Sequence, residues 1–221
     1  MEIIPGVHLI PGVIANPFLI VDADGLMLID AGLPGSDKKI LRYIAALGHS
    51  PDTLRRIVIT HADGDHVGGL AAIKAATGAR VYASAVEAEA IAAGRMSRDL
   101  KAGGLIKWLM AIARPLFRAR PVTVDELVAD GQVLPALGGL RVVETPGHTP
   151  GHISLFAPSA GILFVGDSLV SENGRLRPSQ GMNTWDEARA LESVRLQAAL
   201  GARIVCSAHG PVVRDAQFPQ V

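Results

Sequence analysis

Residues 59–70 read ITHADGDHVGGL. Two histidines and two aspartates, at positions 61, 63, 65 and 66, fall within six positions, after a β-branched run and before a pair of glycines. A solvated loop has no need of so many ionisable groups in so short a space. A metal site does, because neutral imidazole and carboxylate are ligands of zinc, iron and manganese, each binding where the metal outcompetes the proton. RRIVIT ahead of the cluster reads as a strand and VGGLAAIKAATG behind it as an alanine-rich helix. The ionisable residues therefore occupy a loop at a strand end, a common place for a site.

Three further segments repeat the arrangement. ETPGHTPGH carries His148 and His152, LFVGDSL carries Asp167, and SAHGP carries His209, each after a predicted strand. One sheet edge could collect them all. With Asp63 and Asp65 there are enough ligands for two metal ions, and Asp167, at a strand end, could bridge both and offset their charge. His8 and His49 lie in turn-like contexts with no ionisable neighbour and read as structural or solvated.

Further out, NPFLIVDADGLMLIDAG holds two apolar runs around a DADG turn, which predicts a hairpin. From Ser36 to about Leu47 the spacing predicts a helix with Ser36 as its N-cap, and strands and helices alternate from there on. Strand followed by helix in both halves indicates a layered α/β arrangement. The 221 residues suit one domain, 1–221. Hydrophobic residues make up 49% of the chain and mean hydropathy is +0.32, values that fit a packed core and not a disordered chain. A formal net charge of +0 provides no electrostatic pull toward nucleic acid, so none is expected as a partner. No apolar run reaches the roughly 18 residues of a membrane span, and MEIIPGVHLIPGV lacks a basic start to an apolar leader. The lone Cys206 excludes an intrachain disulfide and reads as a buried strand residue. A cytoplasmic protein is the expectation; the oligomeric state is not legible.

Taken in order, these motifs resemble the metallo-β-lactamase fold superfamily of metallohydrolases. The opening motif of that family is His-x-His-x-Asp-His, and here it reads His61, Ala62, Asp63, Gly64, Asp65, His66. LIDAG around Asp30, TPGHTPGH with His148, VGDSL with Asp167 and SAHGP with His209 follow in the family's order, from about Gly12 to Val212. The resemblance implies a four-layer αββα sandwich with two divalent ions, zinc first among the candidates, at one edge. It places His61, Asp63 and His148 on the first ion and Asp65, His66 and His209 on the second, with Asp167 between them. Asp30 and His152 would then support these ligands from behind by hydrogen bonds. Position 63 departs from the pattern, with an aspartate where the family has histidine. A third carboxylate makes the site harder and brings iron and manganese into consideration. The flavodiiron branch is similar in carrying a glutamate there, but this chain shows no flavodoxin-like domain.

The resemblance further implies hydrolysis of an ester, lactone or thioester, or of an amide such as a β-lactam, in a small-molecule substrate. A hydroxide shared by the two ions would attack, with Asp65 orienting it as well as binding the second ion. No Gly-x-Ser-x-Gly elbow is present, and nothing suggests a protein nucleophile. Two alternatives stay open: an iron-dependent redox enzyme of the same fold acting on oxygen or a persulfide, and a non-catalytic binding module whose metal site has drifted. Residues 95–121 carry seven basic residues against Asp99 alone, with Trp108 and Phe117 among apolar neighbours and Pro115 breaking the run. This part of a helical insertion at about 86–121 reads as an amphipathic surface helix, a lid, or a membrane or subunit contact. As a lid it would offer Lys107, Trp108 and Arg114 to a partly hydrophobic, anionic substrate.

Overall fold

Alternate side chains of single strands enter different cores. Along residues 18–29, Leu19, Leu26 and Leu28 join one buried cluster while Phe18, Ile20, Met27 and Ile29 join another. Strands buried on both faces read as continuous apolar runs, as FLIV and LMLI do here. The computed structural model describes residues 1–99, 101, 103–104 and 119–221.

The first sheet has the spatial order β1 (Glu2–Ile4), β2 (Val7–Leu9), β3 (Phe18–Asp22), β4 (Gly25–Ile29), β5 (Leu54–Val58), β6 (Arg80–Ala83), β7 (Glu126–Leu127). β3 and β4 form the predicted hairpin, Asp22 paired with Gly25, whereas β4, β5, β6 and β7 are parallel neighbours. Later in the chain come β8 (Val133–Leu134), β9 (Leu140–Glu144), β10 (Ile153–Ala157) and β11 (Ile162–Gly166), a separate ribbon of β12 (Leu169–Glu172) and β13 (Arg175–Pro178), then β14 (Ile204–Ser207) and β15 (Val213–Arg214). The second sheet runs β15-β14-β11-β10-β9-β8, with β11 and β14 parallel. Among the described residues the α-helices are α1 (Asp37–Ala46), α2 (Gly64–Val67), α3 (Leu70–Thr77), α4 (Ala85–Ala93) and α5 (Glu187–Ala199).

Three cores separate the layers. The first sheet packs Leu28 and Ile57 against Ile40 and Ile44 of α1, Leu70 and Ile73 of α3, and Ala90 and Ile91 of α4. Between the sheets lie Met27, Ile29, Leu155, Phe164 and Cys206, and the rings of Phe18 and Phe164 meet edge to face at 5.3 Å across the gap. Outside the second sheet, Leu163, Val165 and Val205 pack against Val194 of α5 and Leu169 and Leu176 of the ribbon. The layers are helix, sheet, sheet, helix, the predicted αββα sandwich. Each fully buried aliphatic or aromatic side chain contributes about 1.5–3 kcal/mol relative to its exposed state.

Some local expectations are corrected. Ser36 holds the N-cap position of α1, but its backbone is already helical (φ −69°, ψ −22°) and its side chain makes no capping bond. The alanine-rich helix is split into α2 and α3 at Gly68–Gly69. A Cβ at Gly68 would lie 2.2 Å from the Pro34 nitrogen, so the break lets the helices press against the loop after β4. The buried His8 lies on β2, with its Nδ1 3.3 Å from the Tyr43 hydroxyl and its Nε2 4.0 Å from Glu2, and not in a turn without partners. The stretch 86–121 opens with α4, part of the first core. Lys107, Trp108 and Arg114, and most of the segment read as a lid, lie outside the described residues.

Candidate metal centre

The carboxyl ends of β4, β5, β9, β11 and β14 deliver Asp30, His61, His148, Asp167 and His209 to one edge of the sandwich, and α2 adds Asp65 and His66. Strand ends of this kind are the usual ligand position in open α/β sheets. Three sets of side chains there have ligand atoms within 4.8 Å of one another: His61, His66 and Asp167; His61, Asp63 and His148; Asp65, His66 and His209.

Asp30 sets the proton positions. It has φ +60°, a backbone region that non-glycine residues seldom adopt and that is often retained at functional sites. Its carboxylate accepts from Thr60 N at 2.9 Å, Thr60 Oγ1 at 2.8 Å and His66 Nδ1 at 2.8 Å. Because the Thr60 hydroxyl donates to Asp30, it accepts from His61 Nδ1 at 3.0 Å. Both histidines thus place their protons on Nδ1 and turn Nε2 inward. His61 Nε2, His66 Nε2 and Asp167 Oδ1 are buried and, among the described residues, have no hydrogen-bond partner. Leaving such groups unsatisfied costs about 1–3 kcal/mol each, so the cluster is built for something that binds them together.

The surrounding charges favour a cation there. Burial alone would lower the pKa of His66, yet Asp167 and Asp30 hold it well above the usual imidazole range. Hydrogen bonds that His209 donates to Asp167 and Asp65 push its pKa up to about 10. Burial would raise Asp167, but His66 and His209 keep it well below the ordinary carboxylate range. A position that holds a proton this firmly favours any positive charge. His209 Nε2 lies 3.3 Å from Asp167 and 3.4 Å from Asp65. The donor set fits a divalent ion of the type that takes imidazole and carboxylate.

The other side of the cluster is occupied by an arginine. Arg98, its side chain 2% exposed, sets Nη1 and Nη2 against the two oxygens of Asp63 at 2.5 and 2.8 Å. Nη2 also lies 3.2 Å from His148 Nε2, and Nε and Nη2 donate to the Asn183 carbonyl at 3.1 and 2.9 Å. A guanidinium has no lone pair, so His148 Nε2 accepts, and Nδ1 donates to Ser179 Oγ at 2.9 Å. Burial, opposed by Asp63, lowers the pKa of His148.

His152 stands behind the cluster. Its Nε2 accepts from the Asp167 amide at 3.1 Å and its Nδ1 faces Thr145 Oγ1 at 2.8 Å, while burial holds its pKa well below normal. Gly166 makes room for it, with φ +50° and a would-be Cβ 2.6 Å from His152 Nε2. Three contributors were not singled out in the sequence: Thr60, Arg98 and Glu87. Glu87, fully buried on α4, accepts from Ala62 N, Thr149 Oγ1, Gly151 N and Ser97 Oγ at 2.7–3.0 Å. Its signal was one of two acids, Glu87 and Glu89, on an otherwise apolar helix, ASAVEAEAIAAG. The signal for Arg98 was the carboxylate at position 63, which needs a cation that an imidazole would not.

Residues 10–209 match the family model described as the metallo-beta-lactamase superfamily. The chain belongs to that superfamily. Membership makes it a metallohydrolase, as the sequence motifs implied. It is 29% identical over 231 residues to the probable metallo-hydrolase YflN of Bacillus subtilis (strain 168), covering 95% of this chain and 85% of that protein. It is 30% identical over 176 residues to a hydroxyacylglutathione hydrolase of Cereibacter sphaeroides (strain ATCC 17025), covering 79% of this chain and 56% of that enzyme, so it spans only about half of that relative. A metallo-beta-lactamase family protein from Thermus thermophilus superposes with a TM-score of 0.75 at 26% identity, covering 97% of this chain and 76% of that one. Among the described residues no helix is long and apolar enough to cross a membrane.

Proposed function

We propose that the protein is a metal-dependent acyl hydrolase acting on a small ester, lactone or thioester, with zinc as its first candidate metal. The observation that carries this reading is the convergence of His61 Nε2, His66 Nε2 and Asp167 Oδ1, buried and unsatisfied, beside Asp65 and His209. When bound, a divalent ion supplies Lewis acidity, lowering the pKa of water from about 15.7 toward about 7 and polarising an acyl oxygen. His61, His66, Asp65, Asp167 and His209 would hold it. Asp30 and Thr60 fix the two imidazoles in the tautomer that presents a lone pair, and His152 fixes the Asp167 backbone. Asp65, partly exposed at the rim and kept ionised by His209, orients the attacking water.

Similarity to a hydroxyacylglutathione hydrolase puts thioesters first among the substrates. The iron-dependent alternative drew on three carboxylates facing two ions. Asp63 is engaged by Arg98, leaving two for metal, and hydrolysis is the reading that remains supported. The test offers zinc-loaded protein a glutathione thioester, a homoserine lactone, p-nitrophenyl acetate and a β-lactam, before and after chelation. Turnover of at least one acyl substrate that chelation abolishes and zinc restores is expected. No turnover of any of the four by folded, zinc-loaded protein would overturn the reading.

A further inference from the structure

The side of the cluster at Asp63 differs from the rest in having its cation already. Arg98 donates to both Asp63 oxygens and to His148 Nε2, the atoms with which a first ion would be held, and the Asn183 carbonyl anchors the guanidinium from behind. Two contrasts sharpen this. His61 Nε2, His66 Nε2 and Asp167 Oδ1 are buried without a partner, while Asp63 and His148 are satisfied. Position 63, where the family motif has a neutral imidazole, carries here the anionic, shorter side chain that a planar guanidinium grips in bidentate fashion.

We propose that Arg98 takes the place of one of the two metal ions, so that the chain binds a single divalent ion, at Asp65, His66, His209 and Asp167 with His61, beside a permanent guanidinium. The inference rests on the metallohydrolase reading above and specifies it. An ion bound by Asp63 and His148 would have to displace hydrogen bonds that Arg98 already makes, and would lie against a like charge where water scarcely reaches, so repulsion is weakly screened. Arg98 is a positioning residue in this arrangement: it grips both Asp63 oxygens and faces His148 Nε2, while His148 Nδ1 lies 2.9 Å from Ser179 Oγ.

The test is metal stoichiometry. Full-length protein is equilibrated with excess Zn²⁺, freed of loose metal by gel filtration, and its zinc per chain measured by elemental analysis, with circular dichroism as the check on folding. The wild type is expected to hold one zinc per chain. The double variant Asp63→His/Arg98→Met, which removes both members of the pair and restores the family's imidazole, is expected to hold two. Two zinc ions in the wild type would overturn the proposal, as would a folded double variant that stays at one. No zinc in folded wild type would instead overturn the metallohydrolase reading, so the two failures are distinct.

Discussion

The two sides of the cluster satisfy negative charge in opposite ways. Around His61, His66 and Asp167 the protein leaves buried polar atoms without partners among the described residues, whereas around Asp63 and His148 it closes them with Arg98. One edge of one sandwich thus carries a group of unpartnered ligand atoms and a group already paired with an arginine, side by side. On the proposal above, ligand types alone overcount ions where a basic residue from another segment has entered.

The largest effect that would break the contrast lies on the open side. Asp167→Ala removes a ligand shared by the whole cluster, and turnover of the best substrate should fall by at least about 10³-fold, equivalent to roughly 4 kcal/mol, with zinc lost on gel filtration. Retained zinc and retained turnover would mean that the open side is not the reactive one. On the filled side, Arg98→Met strands the Asp63 carboxylate in a buried place. The folded state should lose about 3–5 kcal/mol, read from urea unfolding of chelator-treated protein. Asp63→His alone, the replacement that the family motif suggests, strands the guanidinium in turn and should destabilise similarly.

A smaller change sharpens the comparison from behind the ligands. Asp30→Asn weakens the bond that fixes His66, and zinc affinity should drop by about 10–100-fold in competition with a chromogenic chelator. The smallest effect concerns pH. In chelator-treated protein, His209 has its pKa raised to about 10 from 6.5, so its stabilising contribution is fully present below 6.5 and is lost as pH rises through about 10. Asp167, whose pKa is lowered, contributes above about 3.8 and loses that contribution in more acid solution. The melting temperature of the wild type should therefore decline between pH 6.5 and 10, and less steeply for His209→Gln.

Much of this was legible from spacing. The hairpin around DADG, the strands ahead of the cluster and the gathering of the seven metal-type residues at one edge all emerge from short runs with a clear local pattern. The weaker elements did not emerge. β7, β8 and the β12–β13 ribbon are two to four residues long, too short to show a period, and β7 is held by β6, a strand distant in sequence. Ser36 stands at a helix start yet does not cap, because the turn closing from Ser36 N to Leu33 O already sets its backbone. Arg98 was counted as one of seven basic residues in its segment. Its partner lies 35 positions away, and only the fold brings the two together.

Glu87 ties a loop of one sheet to a loop of the other. One carboxylate holds the Ala62 amide, in the loop after β5 of the first sheet, and the Gly151 amide, just before β10 of the second. Neither proton can be released to solvent without disturbing the other's acceptor. In native-state hydrogen exchange these two amides, 89 positions apart, should therefore open as one unit, marking the seam between the sheets as a single cooperative event and not two independent loop motions.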